Sequence, residues 1–140
     1  MHKQCCLLFG FLVIVLVTIC LSAVPVVSAQ EANPIDVADA VICRGVANHK
    51  AVDPATRFSS SVGKLYCFSR LVGAKNATHI THVWYYGNVE RARLSLPVKS
   101  ADWRTFSTKK IRLREAGVWH VDILDASGNR LEVLNFHIEK

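Results

Sequence analysis

Residues 90–98 read Glu90-Arg91-Ala92-Arg93-Leu94-Ser95-Leu96-Pro97-Val98. Ala92, Leu94, Leu96 and Val98 alternate with Arg91, Arg93 and Ser95. A period of two puts one set on each face of an extended chain. The stretch predicts a half-buried strand, and Pro97 places its end or a sheet edge nearby. No segment after Gln30 sustains an apolar period of 3.6, so the remainder also reads as strands.

Working outward, residues 80–86 precede this strand across a tight Gly87-Asn88 turn. Further runs fall at 37–46, 64–71, 105–113, 118–125 and 130–138. Trp119, Val121 and Ile123 alternate with His120 and Asp122, and Leu134, Phe136 and Ile138 with Asn135 and His137. Residues 48–63 are polar and contain Asp53-Pro54 and Ser59-Ser60-Ser61, which predicts a long connection, functional or mobile. About seven short strands predict an all-β fold, an immunoglobulin-like antiparallel β-sandwich, preceded by an N-terminal signal or anchor helix.

The chain has 140 residues, 51% of them hydrophobic. Twenty-one of the hydrophobic residues fall within residues 1–29. An apolar run from Leu7 to Leu21 and the small-residue ending Val27-Ser28-Ala29 predict a signal peptide cleaved after Ala29. The alternative is an uncleaved anchor, with Val24, Val26 and Val27 extending the run. Ile19 is bulky where a lipoprotein site needs a small residue, which argues against lipidation at Cys20. The expected organisation is a signal segment at 1–29, a short linker at 30–36 and a β-sandwich domain at 37–140. The expected location is periplasmic or otherwise exported, or inner-membrane anchored facing the periplasm.

Two of the five cysteines, Cys43 and Cys67, lie beyond that segment. An even pair in an exported chain predicts one disulfide. It would close a loop of about 25 residues and stabilise the fold by about 3 kcal/mol. A two-thiolate metal site needs further ligands that the spacing does not offer.

Several blocks then recur in a familiar order. They are Val41-Ile42-Cys43-Arg44, Leu65-Tyr66-Cys67-Phe68, His82-Val83-Trp84-Tyr85-Tyr86, Arg104-Thr105-Phe106-Ser107, Gly117-Val118-Trp119-His120-Val121 and Asp125-Ala126-Ser127-Gly128. Together they resemble a bacterial exported family catalogued as domain of unknown function 2914, over roughly residues 40–138. The resemblance implies an exported bacterial β-domain. It brings no established activity and no catalytic residue.

Three clusters could carry chemistry. Residues 91–114 hold Arg91, Arg93, Lys99, Arg104, Lys109, Lys110, Arg112 and Arg114 against one acidic residue, Asp102. If the strands at 90–98 and 105–113 share a sheet, Arg91, Arg93, Lys110, Arg112 and Arg114 form a basic stripe that attracts anions. The same charges also suit a solvated face that blocks edge pairing. Trp84, Tyr86 and Trp103 are candidates for an aromatic platform, because flat apolar faces with polar edges suit sugars and peptides. Trp84 and Trp119 read more readily as core residues, with His82 as a hydrogen-bonded structural partner. His79, His82, His120 and His137 are weak metal candidates, since His79 and His82 point to opposite faces of one strand.

The chain lacks Gly-x-Ser-x-Gly, His-Glu-x-x-His and phosphate-loop motifs. The expectation is a non-enzymatic cell-envelope binding or structural module with no cofactor. Its partner would be an envelope protein or an anionic glycan or lipid, met through a basic strand face. Nucleic acid is not expected, and membrane contact would come only through an uncleaved N-terminal segment. The alternative is a small metal or cofactor carrier using surface histidines.

Overall fold

The computed structural model describes residues 34–140. The expected signal segment and most of the expected linker lie outside the described residues. Among the described residues the chain forms β1 (Asp36–Ala47), β2 (Lys50–Pro54), β3 (Arg57–Ser59), β4 (Lys64–Val72), β5 (Thr78–Tyr86), β6 (Val89–Val98), β7 (Asp102–Lys110), β8 (Gly117–Leu124) and β9 (Arg130–Glu139). A single 3-10 turn, Ser60–Val62, separates β3 from β4. The described residues are all-β in two sheets, ordered β2-β1-β4-β7 and β3-β9-β8-β5-β6.

The seven expected runs all form strands. The two additional strands, β2 and β3, correct the reading of 48–63 as a long connection. Both are short and largely exposed, so neither carries the alternation that marks a half-buried strand. The turn into β2 is made by Asn48 and His49, with φ of 51° and 59°. Positive φ at two successive residues is the conformation that closes a two-residue hairpin. β3 is short, with only Phe58 buried, and it pairs parallel to β9. The sheets are therefore not wholly antiparallel as expected.

The two sheets bury their apolar faces against each other. Trp84, Trp119, Val121, Phe136 and Ile138 from the five-stranded sheet meet Ile42, Leu65 and Cys67 from the four-stranded one. A second cluster packs Leu71 against Ile80, Val98 and Ile123. Trp84 and Phe58 each meet Phe136 edge-on, at 6.1 and 6.2 Å between ring centroids. That geometry sets the positive edge of one ring against the negative face of the other. The alternating set Ala92, Leu94, Leu96 and Val98 faces inward along β6, as its period predicts.

The expected disulfide does not form. Cys43 lies opposite Tyr66 in the β1–β4 ladder, whereas Cys67 lies opposite Ile42. Successive residues of a strand point to opposite faces. Cys67 thus joins the core between the sheets, while Cys43 points to the other face of the same sheet. Both are buried free thiols. Cys43 Sγ donates to the Gly45 carbonyl at 3.1 Å, and burial pushes both thiols up from their ordinary pKa. Neither is poised as a reactive thiolate. Alkylation of the folded, unreduced protein should leave peptides containing Cys43 and Cys67 unmodified. Unfolding without reductant should label both, and a peptide pair that stays linked and unlabelled would restore the bridge.

Candidate functional site

A buried polar node joins the sheets. His82 and Trp84 stand two apart on β5, so both side chains enter the interior. His82 Nε2 lies 2.9 Å from Ser69 Oγ on β4. Its Nδ1 lies 2.7 Å from Ser107 Oγ on β7. Trp84 Nε1 donates to the same Ser107 oxygen at 3.0 Å. A neutral imidazole has one donor and one acceptor nitrogen. The network is satisfied if Ser107 donates to Nδ1 and Nε2–H donates to Ser69. All four residues are buried, so no substrate reaches them. Desolvation lowers the His82 pKa to about 4, because the charged ring would lose its water and gain no acidic partner.

This node disposes of two expectations. Trp84 is a fully buried core residue, not part of a surface platform. His82 is enclosed and cannot be a surface metal ligand. Tyr86 also turns inward, packing on Trp119 at 5.0 Å and donating its hydroxyl to the Ala116 carbonyl at 2.6 Å. Trp103 is half-buried, against the second core cluster. The three rings therefore form no common platform.

The remaining histidines are dispersed. His79 is exposed near the start of β5. His120 stacks on Tyr85 at 4.5 Å and faces Asn135 across the β8–β9 ladder, as its spacing predicts. Its Nε2 is 3.7 Å from Asp122 Oδ1. His137 Nδ1 is buried and has no hydrogen-bond partner among the described residues. Among the described residues, no group of three or more His, Cys, Asp or Glu is arranged to hold a metal ion.

The basic strand face also requires correction. β6 and β7 sit at the edges of different sheets, so Arg91 and Arg93 cannot line up with Lys110. Three of the expected arginines have acidic partners. Arg91 pairs with Glu115, Arg93 Nη2 with Glu90 at 2.7 Å, and Arg104 Nη1 with Asp102 at 3.4 Å. Asp102 also takes Arg70 through both oxygens, at 3.0 and 2.7 Å. β7 ends at Lys110, three residues earlier than expected, so Arg112 and Arg114 lie in the loop to β8.

That loop is the second built feature. The Glu115 side chain is only 5% exposed. Its carboxylate accepts from Arg91 and, at 2.9 Å, from the Arg112 backbone N–H. Its carbonyl accepts from Trp119 Nε1 at 2.9 Å. The Ile111 N–H donates to the Gly63 carbonyl at 2.9 Å, which ties the loop to the start of β4. There Lys64 faces Lys110 across the β4–β7 ladder. Lys64, Lys109, Lys110, Arg112 and Arg114 thus gather at one end of the sandwich, and none of them forms an ion pair among the described residues. Lys64 Nζ stands 5.2 Å over the Tyr66 ring, and Lys109 Nζ donates to the Lys110 carbonyl at 2.8 Å.

Trp103, Arg104 and Phe106 contribute to a different feature, an open groove of about 530 Å³ lined also by His49 and Phe68. An adjoining depression of about 390 Å³ shares His49, Phe68 and Arg104. Sequence reasoning missed His49, because it sits in the stretch read as a connection. The available signal was Asn48, a residue that tolerates the left-handed turn.

The fold and these features define a class: a small two-sheet β-domain whose enclosed polar groups join its layers and which carries a group of five cations at one end. Residues 77–138, which take in β5 through nearly all of β9, match the model of a family described as protein of unknown function, DUF2914. That is the family the sequence blocks resemble. None of the curated proteins matches the chain.

Two outcomes follow from the node and the loop. His82 titrates at about 4 in the folded protein and near 6.5 in the unfolded chain. Between these values only the unfolded form takes up the proton. Stability is therefore complete above pH 6.5 and falls as pH drops towards 4, by about 3 kcal/mol in all. Urea unfolding across this range should show the loss, and His82→Leu should flatten that segment of the profile. Glu115→Ala leaves Arg91 and the Arg112 N–H without their acceptor. It should cost about 1–2 kcal/mol, because Arg91 stays partly solvated while the Arg112 N–H loses its acceptor, measured as a lowered urea midpoint.

Proposed function

We propose that this domain is a non-enzymatic binding module of the cell envelope that engages an anionic partner through the end bearing Lys64, Lys109, Lys110, Arg112 and Arg114. One observation carries the reading: these five cations share one end of the fold and have no ionic partner among the described residues, whereas Arg91, Arg93 and Arg104 are paired. Clustered charge of one sign raises the local concentration of an oppositely charged partner and speeds its encounter. The envelope location rests on the signal segment read at residues 1–29, whether cleaved for the periplasm or retained as an anchor facing it. The enclosure of His82 supports the non-enzymatic reading, since its imidazole is out of reach of a substrate.

We read the sandwich as immunoglobulin-like. The first strands divide between the sheets, β1 pairing with β4 and β3 with β9. β5 carries a buried tryptophan in the position such folds favour. The bridge of antibody domains is replaced by Cys67 of β4 packed in one cluster with Trp84 and Trp119.

Heparin, a soluble polyanion, tests the electrostatic reading. Reversal of Lys64, Lys110, Arg112 and Arg114 to Glu should weaken retention by about tenfold or more at low salt, with the loss vanishing as salt screens the charges. Reversal of the paired Arg93 and Arg104 should have a much smaller effect. Equal retention of wild type and the fourfold variant would overturn the proposal.

A further inference from the structure

We infer that the tip Arg112-Leu113-Arg114 is a membrane-docking element that sinks Leu113 into the interface of an anionic bilayer. The inference rests on the proposed cationic end and names its partner. Leu113 is 73% exposed, the most exposed large hydrophobic side chain among the described residues. It stands between two arginines in a loop that adjoins Lys110 and Lys64. Val89 and Val118, 59% and 60% exposed, belong to the same end of the sandwich. The Gly87 N–H donates to the Val118 carbonyl at 2.8 Å, and Tyr86 faces Val89 in one ladder and Trp119 in the other.

Cations alone would suit any polyanion. Exposed apolar side chains at the same end suit a bilayer, which offers anionic headgroups at its surface and hydrocarbon just beneath. Interfacial binding draws on both terms, buried apolar area and attraction to anionic lipid. A soluble glycan would use the charges and leave Leu113 in water.

The loop is braced in the presenting conformation. The Glu115 carboxylate holds the Arg112 N–H, the Glu115 N–H donates to the Arg112 carbonyl at 2.9 Å, and the Ile111 N–H is fixed to Gly63. Ile111 is itself buried, so the chain is pinned on both sides of the tip. A tip ordered before contact loses little conformational freedom on docking. These bonds leave the side chain of Leu113 outside the packed structure, where its burial can only be gained against another surface.

A local reporter tests this in the full chain, whatever residues 1–29 do at a membrane. Leu113→Trp places an indole at the tip, and its emission is read as the difference from wild type. On vesicles of phosphatidylglycerol and phosphatidylcholine, the difference spectrum should shift to the blue and be quenched by brominated acyl chains. On phosphatidylcholine alone the shift should be lost. Adding Lys110→Glu and Arg112→Glu to Leu113→Trp should also abolish it on the anionic vesicles. Emission that stays water-like on anionic vesicles, or that shifts equally on neutral ones, would overturn the inference. Wild-type retention on heparin alongside a water-like tip would leave the anionic-partner proposal standing and refute the bilayer. A blue-shifted, charge-dependent tip without heparin retention would keep the cationic end as a lipid-binding site and refute a soluble polyanion as its partner.

Discussion

The imidazole of His82, held between Ser69 and Ser107, is the contact on which the arrangement of the two sheets depends. Apolar faces attract without direction, so the inner faces alone would tolerate sliding. Hydrogen bonds from one ring to hydroxyls on two adjacent strands do not. They fix β5 over the β4–β7 pair, and Trp84 locks the same Ser107 oxygen from one step along the strand. A buried network of this kind stabilises only when every member is satisfied, because each unpaired group would carry its full desolvation cost. The aromatic cluster of Trp84, Trp119 and Phe136 then packs around a fixed alignment.

The same topology sorts the charges. A run of basic residues that is continuous in sequence is divided by the passage of the chain from one sheet to the other between β6 and β7. Arg91, Arg93 and Arg104 are spent on local carboxylates, and Arg104 shares its carboxylate with Arg70. The cations after them fall at the end of β7 and in its loop, where Lys64 arrives from a neighbouring strand. Five cations without ionic partners among the described residues therefore share one end of the sandwich, where Glu115 braces the loop.

Strand periodicity made much of this fold legible. The alternation at Ala92 to Val98, and the inward Trp119, Val121, Ile123, Phe136 and Ile138, appear in the structure as read. What escaped was decided by contacts distant in sequence. β2 and β3 are polar edge strands whose identity depends on their partners β1 and β9. Cys43 and Cys67 looked like a pair because of their number, but the register that places them on opposite faces is set by the β1–β4 ladder. Arg112 and Arg114 kept the period of a strand, although Glu115 holds the Arg112 backbone in a loop. Of the candidate site, the cations were visible and their partners were not. His49 and the exposure of Leu113 had no sequence signal strong enough to single them out.

The parallel pairing of β3 with β9 has a kinetic meaning. Arg57 and Glu139, 82 residues apart, meet at 2.7 Å on these two strands, and Phe58 of β3 packs beside Phe136 of β9. The ladder joins an early segment of the domain to its last strand, so it closes only after β9 has been synthesised. Loop closure over such a separation is slow relative to the hairpins that join neighbouring strands. Until then Phe58 and the edge of β8 that receives β9 remain uncovered, a stage at which nascent chains of this architecture are most open to pairing with one another.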